Sequence, residues 1–168
     1  MRIIHFGLIF ISLFGVKLFA SESHSAQLEK QYFDGGIMMH YSVSGNFDEI
    51  KELLKISIAD RGIKISNTSY ISNMLQRTRE VVGAEKDVFV SAEAIEFCSA
   101  TLSRSMMEAL PHSIIFCPYI IYIYVLAEQP DVVNLAFRKL PVMGSVELKT
   151  ALKEVNHLLD DIIKETID

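Results

Sequence analysis

The side chains in this sequence best suited to chemistry are two cysteines, Cys98 and Cys117, with His112, Met106 and Met107 between them and Tyr119, Tyr122 and Tyr124 just after. Cys98 ends the short apolar run Ile95-Glu96-Phe97-Cys98, and Cys117 opens the uncharged block Pro118 to Leu126. Residues of this kind allow three outcomes: a disulfide, two inert buried thiols, or a reactive or metal-binding pair. Cys98, His112 and Cys117 can be assembled into a metal site, with Glu96 close in sequence and the two methionines as soft donors, a set that suits copper(I). The spacing lacks a ligand grammar such as Cys-x-x-Cys, and methionines at helical spacing usually fill a core, so no cofactor is predicted on these grounds.

Catalysis has less to stand on. A nucleophile needs a base within reach, and His112, five residues before Cys117, is the one candidate. The sequence has no Gly-rich phosphate loop, Ser elbow or His-Glu-x-x-His, and Asp60, Glu93, Glu96 and Asp131 stand as single acids, so a non-catalytic protein is the favoured reading. Tyr119, Tyr122 and Tyr124 either fill the two faces of a sheet or, if one face is partly open, line a docking surface for a ligand or partner.

These residues must be positioned by the elements around them. Ile37, Met39, Tyr41 and Val43 alternate with Met38, His40, Ser42 and Ser44, the period of a strand with one buried face, which puts His40 on the solvated side. Asn46-Phe47-Asp48-Glu49 reads as a capping box, followed by a helix with Phe47, Ile50, Leu53, Leu54 and Ile58 on one stripe, Lys51 and Lys55 in water, and Gly62 as its left-handed stop. Ile63 and Ile65 suggest a second strand beside the first. Asn67-Thr68-Ser69 matches a glycosylation acceptor but is read as a break that caps a second helix with Ile71, Met74, Leu75 and Val82 on its stripe and Gly83 at its end. The stretch from Ala84 to Ala94 is ambiguous between strand and loop.

Ile95 and Phe97 point inward from a third strand, and Ser99 caps a helix with Leu102, Met106 and Leu110 on its stripe that Pro111 stops. In the next run, Tyr119, Ile121, Ile123 and Val125 fall on one face and Ile120, Tyr122, Tyr124 and Leu126 on the other, the pattern of a central strand covered on both sides. Gln129-Pro130-Asp131 turns the chain into a returning strand over Val132 to Phe137. A C-terminal helix over about 145–166 carries Leu148, Leu152, Val155, Leu159 and Ile162 and must dock on a core. The order is β-α-β-α-β-α-β-β-α, a single α+β domain over 37–168 with its Tyr- and Ile-rich strand covered by helices. On a parallel arrangement of the two strands that flank the third helix, Cys98 and Cys117 fall at opposite ends of the sheet, beyond the roughly 7 Å that a bridge spans. If 113–116 instead runs extended, it can carry Cys117 back to Cys98.

Before the domain, residues 1–20 read as a cleaved signal peptide, with Arg2, an apolar core and Leu18-Phe19-Ala20 before Ser21. Residues 21–36 read as a flexible leader. The alternative, a retained anchor, requires a longer apolar core than this one. Loss of Arg2 and Lys17 with the signal moves the net charge from −5 to −7, since 14 basic residues then face 21 acidic ones. That balance argues against nucleic acid or an anionic membrane as partner.

The sequence also resembles a known family. Gly45-Asn46-Phe47-Asp48-Glu49, Arg61-Gly62-Ile63, Phe97-Cys98 and Cys117-Pro118 with the apolar strand behind it look like the domain of unknown function 302 family, over about 36–141. The match departs at the second cysteine, where proline follows rather than precedes it. The resemblance implies a small α+β fold and gives weight to Cys98 and Cys117, but implies no reaction. The expectation is therefore a periplasmic or secreted domain, free of a membrane span once the signal is removed, that binds a small molecule or a partner protein. A homodimer is left open. The rival expectation is a thiol or metal redox protein using Cys98 and Cys117.

Overall fold

The computed structural model describes residues 31–32 and 36–168. The signal peptide expected over 1–20 and most of the expected leader lie outside the described residues. Gln31 and Tyr32, within that leader, form a two-residue strand β1 (Gln31–Tyr32) that pairs with His40 and Met39.

The elements follow as β2 (Met38–Ser44), α1 (Phe47–Asp60), β3 (Ile65–Tyr70), α2 (Ile71–Val82), β4 (Phe89–Phe97), α3 (Ala100–Ala109), a 3-10 segment (Pro111–Phe116), β5 (Tyr119–Leu126), β6 (Val132–Arg138) and α4 (Val146–Ile167). From β2 onward this is the expected α+β order. One antiparallel sheet holds the strands in the order β1-β2-β6-β5-β4-β3. Local chemistry fixes the helix ends. Asn46 accepts hydrogen bonds from the amides of Asp48 and Glu49 at 2.9 and 3.2 Å, and Ser99 and Ser145 cap α3 and α4 through the amides of Leu102 and Leu148. Gly62 closes α1 at φ +69, a conformation that costs glycine nothing.

The core lies between one face of the sheet and the helices α1, α3 and α4. Met39, Tyr41 and Val43 of β2, Ile95 and Phe97 of β4, Tyr119, Ile121, Ile123 and Val125 of β5, and Val133, Leu135 and Phe137 of β6 are buried there. The whole expected stripe of α4 is buried with them, together with Ala151 and Ile163. Asn156, one turn from Leu159, accepts from the amide of Leu140 at 2.8 Å and donates to its carbonyl at 2.9 Å, so α4 grips the chain just after β6.

Several expectations need correction. β3 does not lie beside β2; it pairs with β4 at the opposite edge, because α1 carries the chain across the whole sheet. Asn67, Thr68 and Ser69 sit inside β3 rather than in a helix cap, and Tyr70 begins α2 without a side-chain cap. The stripe of α2 is not buried: Met74, Leu75 and Val82 are exposed. Ile37 and Leu53, assigned to buried faces, are exposed as well.

Lys51 does not face water. Its side chain is 16% exposed and reaches Glu93 at 3.2 Å and Asp48 at 2.9 Å, with the Phe47 ring 5.0 Å below the ammonium. Glu93 thus has a partner, and Glu96 has two, Asn67 at 3.2 Å and Ser69 at 3.1 Å. His40 is buried rather than solvated. Its Nε2 lies 2.8 Å from Asn134 Oδ1, which also accepts from Ser42 at 3.1 Å, so polar side chains of adjoining strands shield one another on the second face of the sheet.

Candidate functional site

β4 and β5 are antiparallel, with Phe97 opposite Tyr119. This register decides where the cysteines lie. Cys98 follows Phe97 and Cys117 precedes Pro118 and Tyr119, so both fall at the same end of the sheet, and the parallel arrangement that would have separated them does not occur. Nor does 113–116 run extended. It is part of the 3-10 segment, whose Ser113 hydroxyl donates to the Met106 carbonyl at 3.0 Å and folds the return path back against α3. The Cys117–Pro118 peptide is cis.

The two sulfurs are unbonded and lie near each other at this end of the sheet. Ser103 joins them to the sheet: its Oγ is 3.1 Å from Cys117 Sγ and 3.0 Å from the Tyr119 hydroxyl. Cys98 is exposed and Cys117 half-buried, while Ser103 and Tyr119 are buried. Partial desolvation of the sulfur, and then the hydrogen bond to Cys117, push the Cys98 thiol up to about 11. Desolvation also raises the Tyr119 phenol. Cys98 and Tyr119 are therefore protonated and uncharged at neutral pH, and Cys98 reaches its thiolate form in quantity only under alkaline conditions.

That state has a measurable consequence. A thiol whose pKa lies about two units above its unfolded value should react about 100-fold more slowly with iodoacetamide at pH 7 than the same cysteine in denatured protein. Its rate should rise about tenfold per pH unit up to pH 10. Mass-resolved labelling of Cys98 measures both, and a plateau near pH 8 would contradict this account.

Beside the thiols, at the same end of the sheet where β5 begins and β6 ends, lies a cleft of about 350 Å³. Ile115 and Phe116 of the 3-10 segment, Pro118, Tyr119, Ile120 and Tyr122 form one side, Leu140, Pro141 and Leu159 the other, and Arg138 and Lys139 supply its charges. Among the described residues, no carboxylate lines it. Pro118 and Tyr119 belong to this cleft and also adjoin the thiol cluster.

The expected site residues are thus divided. Cys98, Cys117 and Tyr119 come together; Tyr122 lies in the adjoining cleft on the second face; Tyr124 is farther along that face, against Phe89 edge-on at 5.6 Å, with its phenol raised by burial. β5 is therefore covered by helices on one face and half open on the other, not enclosed on both. His112 is exposed and does not join the cysteines: among the described residues, no three His, Cys, Asp or Glu side chains gather where they could hold a metal ion. Ser103, Arg138 and Leu140 were not singled out from the sequence. Ser103 stands three residues before Met106, on the buried side of α3, and that spacing was the available signal.

No protein-family model matches the sequence, and no curated protein matches it. Among solved structures, the chain is similar to an uncharacterized conserved protein of domain of unknown function 302 from Bacillus stearothermophilus. The two share 17% identity and a TM-score of 0.61, over 75% of this chain and 96% of the other. The chain has that protein's fold, as the sequence resemblance implied. At this identity the likeness establishes the fold alone.

Proposed function

We propose that this domain binds a small amphipathic anion in the cleft between the 3-10 segment, the start of β5 and the link from β6 to α4. The carrying observation is the make-up of the cleft: an apolar floor and walls, two tyrosines, and the exposed cation Arg138 beside Lys139, in a protein whose net charge is −5. Its volume is in the range that encloses a small ligand, and a few polar groups in an apolar lining are what fix a ligand's orientation. Arg138, exposed at the end of β6, is the group that would meet the anionic head. Ile120, Phe116 and Leu140 would hold the apolar body. The reading needs no catalysis.

Titration with anilinonaphthalene sulfonate, followed by competition with decanoate and with decanol, tests this. The dye should bind at one site, and decanoate should displace it at least about tenfold more effectively than decanol, the usual size of one charge-assisted contact. Arg138→Gln should erase that preference, and Ile120→Trp should fill the cleft and abolish dye binding while the circular dichroism spectrum is unchanged. Equal displacement by acid and alcohol would remove the anion from the proposal; no binding at all would remove the cleft.

A further inference from the structure

We propose that Cys98 and Cys117 are a thiol–disulfide exchange site for small disulfides, and that closing the bridge changes the affinity of the adjoining cleft. The second half of this inference rests on the cleft reading above; the first half does not. The observations are geometric. The register that sets Phe97 against Tyr119 places the two cysteines near each other at one end of the sheet, unbonded, with the Cys117 sulfur 3.1 Å from Ser103 Oγ. One is exposed and the other half-buried, the arrangement in which an outer thiol meets the incoming disulfide and an inner one resolves it.

The exchange balances without a further reactant. The Cys98 thiolate attacks one sulfur of a small disulfide such as oxidised glutathione, forming a mixed disulfide and releasing one thiol. Cys117 then gives up its proton and attacks the Cys98 sulfur, forming the Cys98–Cys117 bond and expelling the second thiol. Two electrons and two protons pass from the protein to the small disulfide, which leaves as two thiols.

The coupling to the cleft follows from what the sulfur of Cys117 now does. As a thiol it shares a hydrogen bond with Ser103, and Ser103 shares one with Tyr119. Bonded to Cys98, that sulfur has no proton to share and must turn toward β4. Ser103 and Tyr119 then re-form their contacts, and Pro118 and Tyr119 are part of the cleft wall. A ligand that distinguishes the two wall positions binds the two redox states differently, and by reciprocity shifts the exchange equilibrium by the same factor.

The test equilibrates purified protein with glutathione buffers of graded ratio at mildly alkaline pH. Alkylation and intact mass then count free thiols, and anilinonaphthalene sulfonate is titrated into each end state. The expected result is a fully bridged form at the oxidised end, no trapped glutathione adduct, and a change of about fivefold or more in dye affinity between states, the lower range of ordinary coupling. In Cys117→Ser protein, the same buffers should instead leave a stable mixed disulfide on Cys98. Two free thiols at every ratio would overturn the exchange site. A bridge that forms while dye affinity is unchanged would overturn the coupling and leave the cleft reading intact. A bridge with no dye binding in either state would overturn the cleft reading and the coupling together.

Discussion

A Leu152→Ala protein should lose about 3 kcal/mol of folding stability, within the 2–5 kcal/mol typical of leucine truncation in a packed interior. Leu152 sits two turns into α4 with no exposed surface, in the same buried cluster as Leu148, Val155 and Leu159 on its own helix and Tyr41, Leu135 and Phe137 on the sheet. Removing its branched end leaves a space that no neighbour can enter without leaving its own position, because interiors are packed to crystal density. Urea denaturation of the variant and the parent, with equal slopes, gives the difference directly. A loss below about 1 kcal/mol would mean that α4 is not the docked lid of the core.

The second large effect is electrostatic. Lys51→Met should destabilise the protein by about 1–3 kcal/mol at neutral pH, less than the full cost of stranding a buried charge because the pair is not wholly removed from water. Glu93 has a side chain 11% exposed, and Lys51, 16% exposed, is its ion-pair partner at 3.2 Å. Methionine keeps the apolar stem against the sheet and leaves the carboxylate without its cation. The pH dependence carries a definite sign. The hydrogen bond to Asp48 comes first among the influences that raise the Lys51 pKa above 10.5; burial opposes it and Glu93 adds to it. A cation whose folded pKa is raised contributes stability that is fully present below pH 10.5 and lost as pH rises through the folded value. The gap between parent and variant should therefore be constant near neutrality and narrow above pH 10.5. A gap that widened with alkali would refute the pairing.

The sequence displayed its periodicities more clearly than its pairings. The α4 stripe is legible because five apolar residues at helical spacing have one physical solution, burial against a core, and all five are buried. The alternation in β5 was equally plain. What alternation cannot say is which strand lies next. Strands close in sequence often pair, which points Ile65 towards β2, yet β3 lies at the far edge. The direction of β5 relative to β4 was hidden for a related reason: it depends on whether the chain between them returns to the end it left from. A helix followed by proline reads as a one-way crossing, whereas α3 and the 3-10 segment fold back together.

The candidate site was legible to the same extent. Cys98, Cys117, Tyr119 and Tyr122 stood out by residue type, and all four are at the sheet end that carries the cleft. Tyr124 belongs elsewhere, and His112 was suggested only by nearness in sequence. Arg138 and Leu140 gave no signal, because a cleft is made by the meeting of segments far apart in the chain. His40 is buried against expectation because alternation identifies the face away from the core and does not reveal whether Asn134 and Ser42 will close over it.

The sheet order also sets a timetable. β2 has β6 as its long partner, so His40 meets Asn134 across 94 positions, and the Tyr41 hydroxyl donates to Asp160 across 119. The helix that seals the core, α4, follows every strand of the sheet in sequence and ends at Ile167. A ribosome making this protein therefore releases nearly all of the apolar sheet before the segment that covers it exists. For most of its synthesis the chain is a set of strands waiting for a lid, and the native interior can close only after the final turn of α4 has left the exit tunnel.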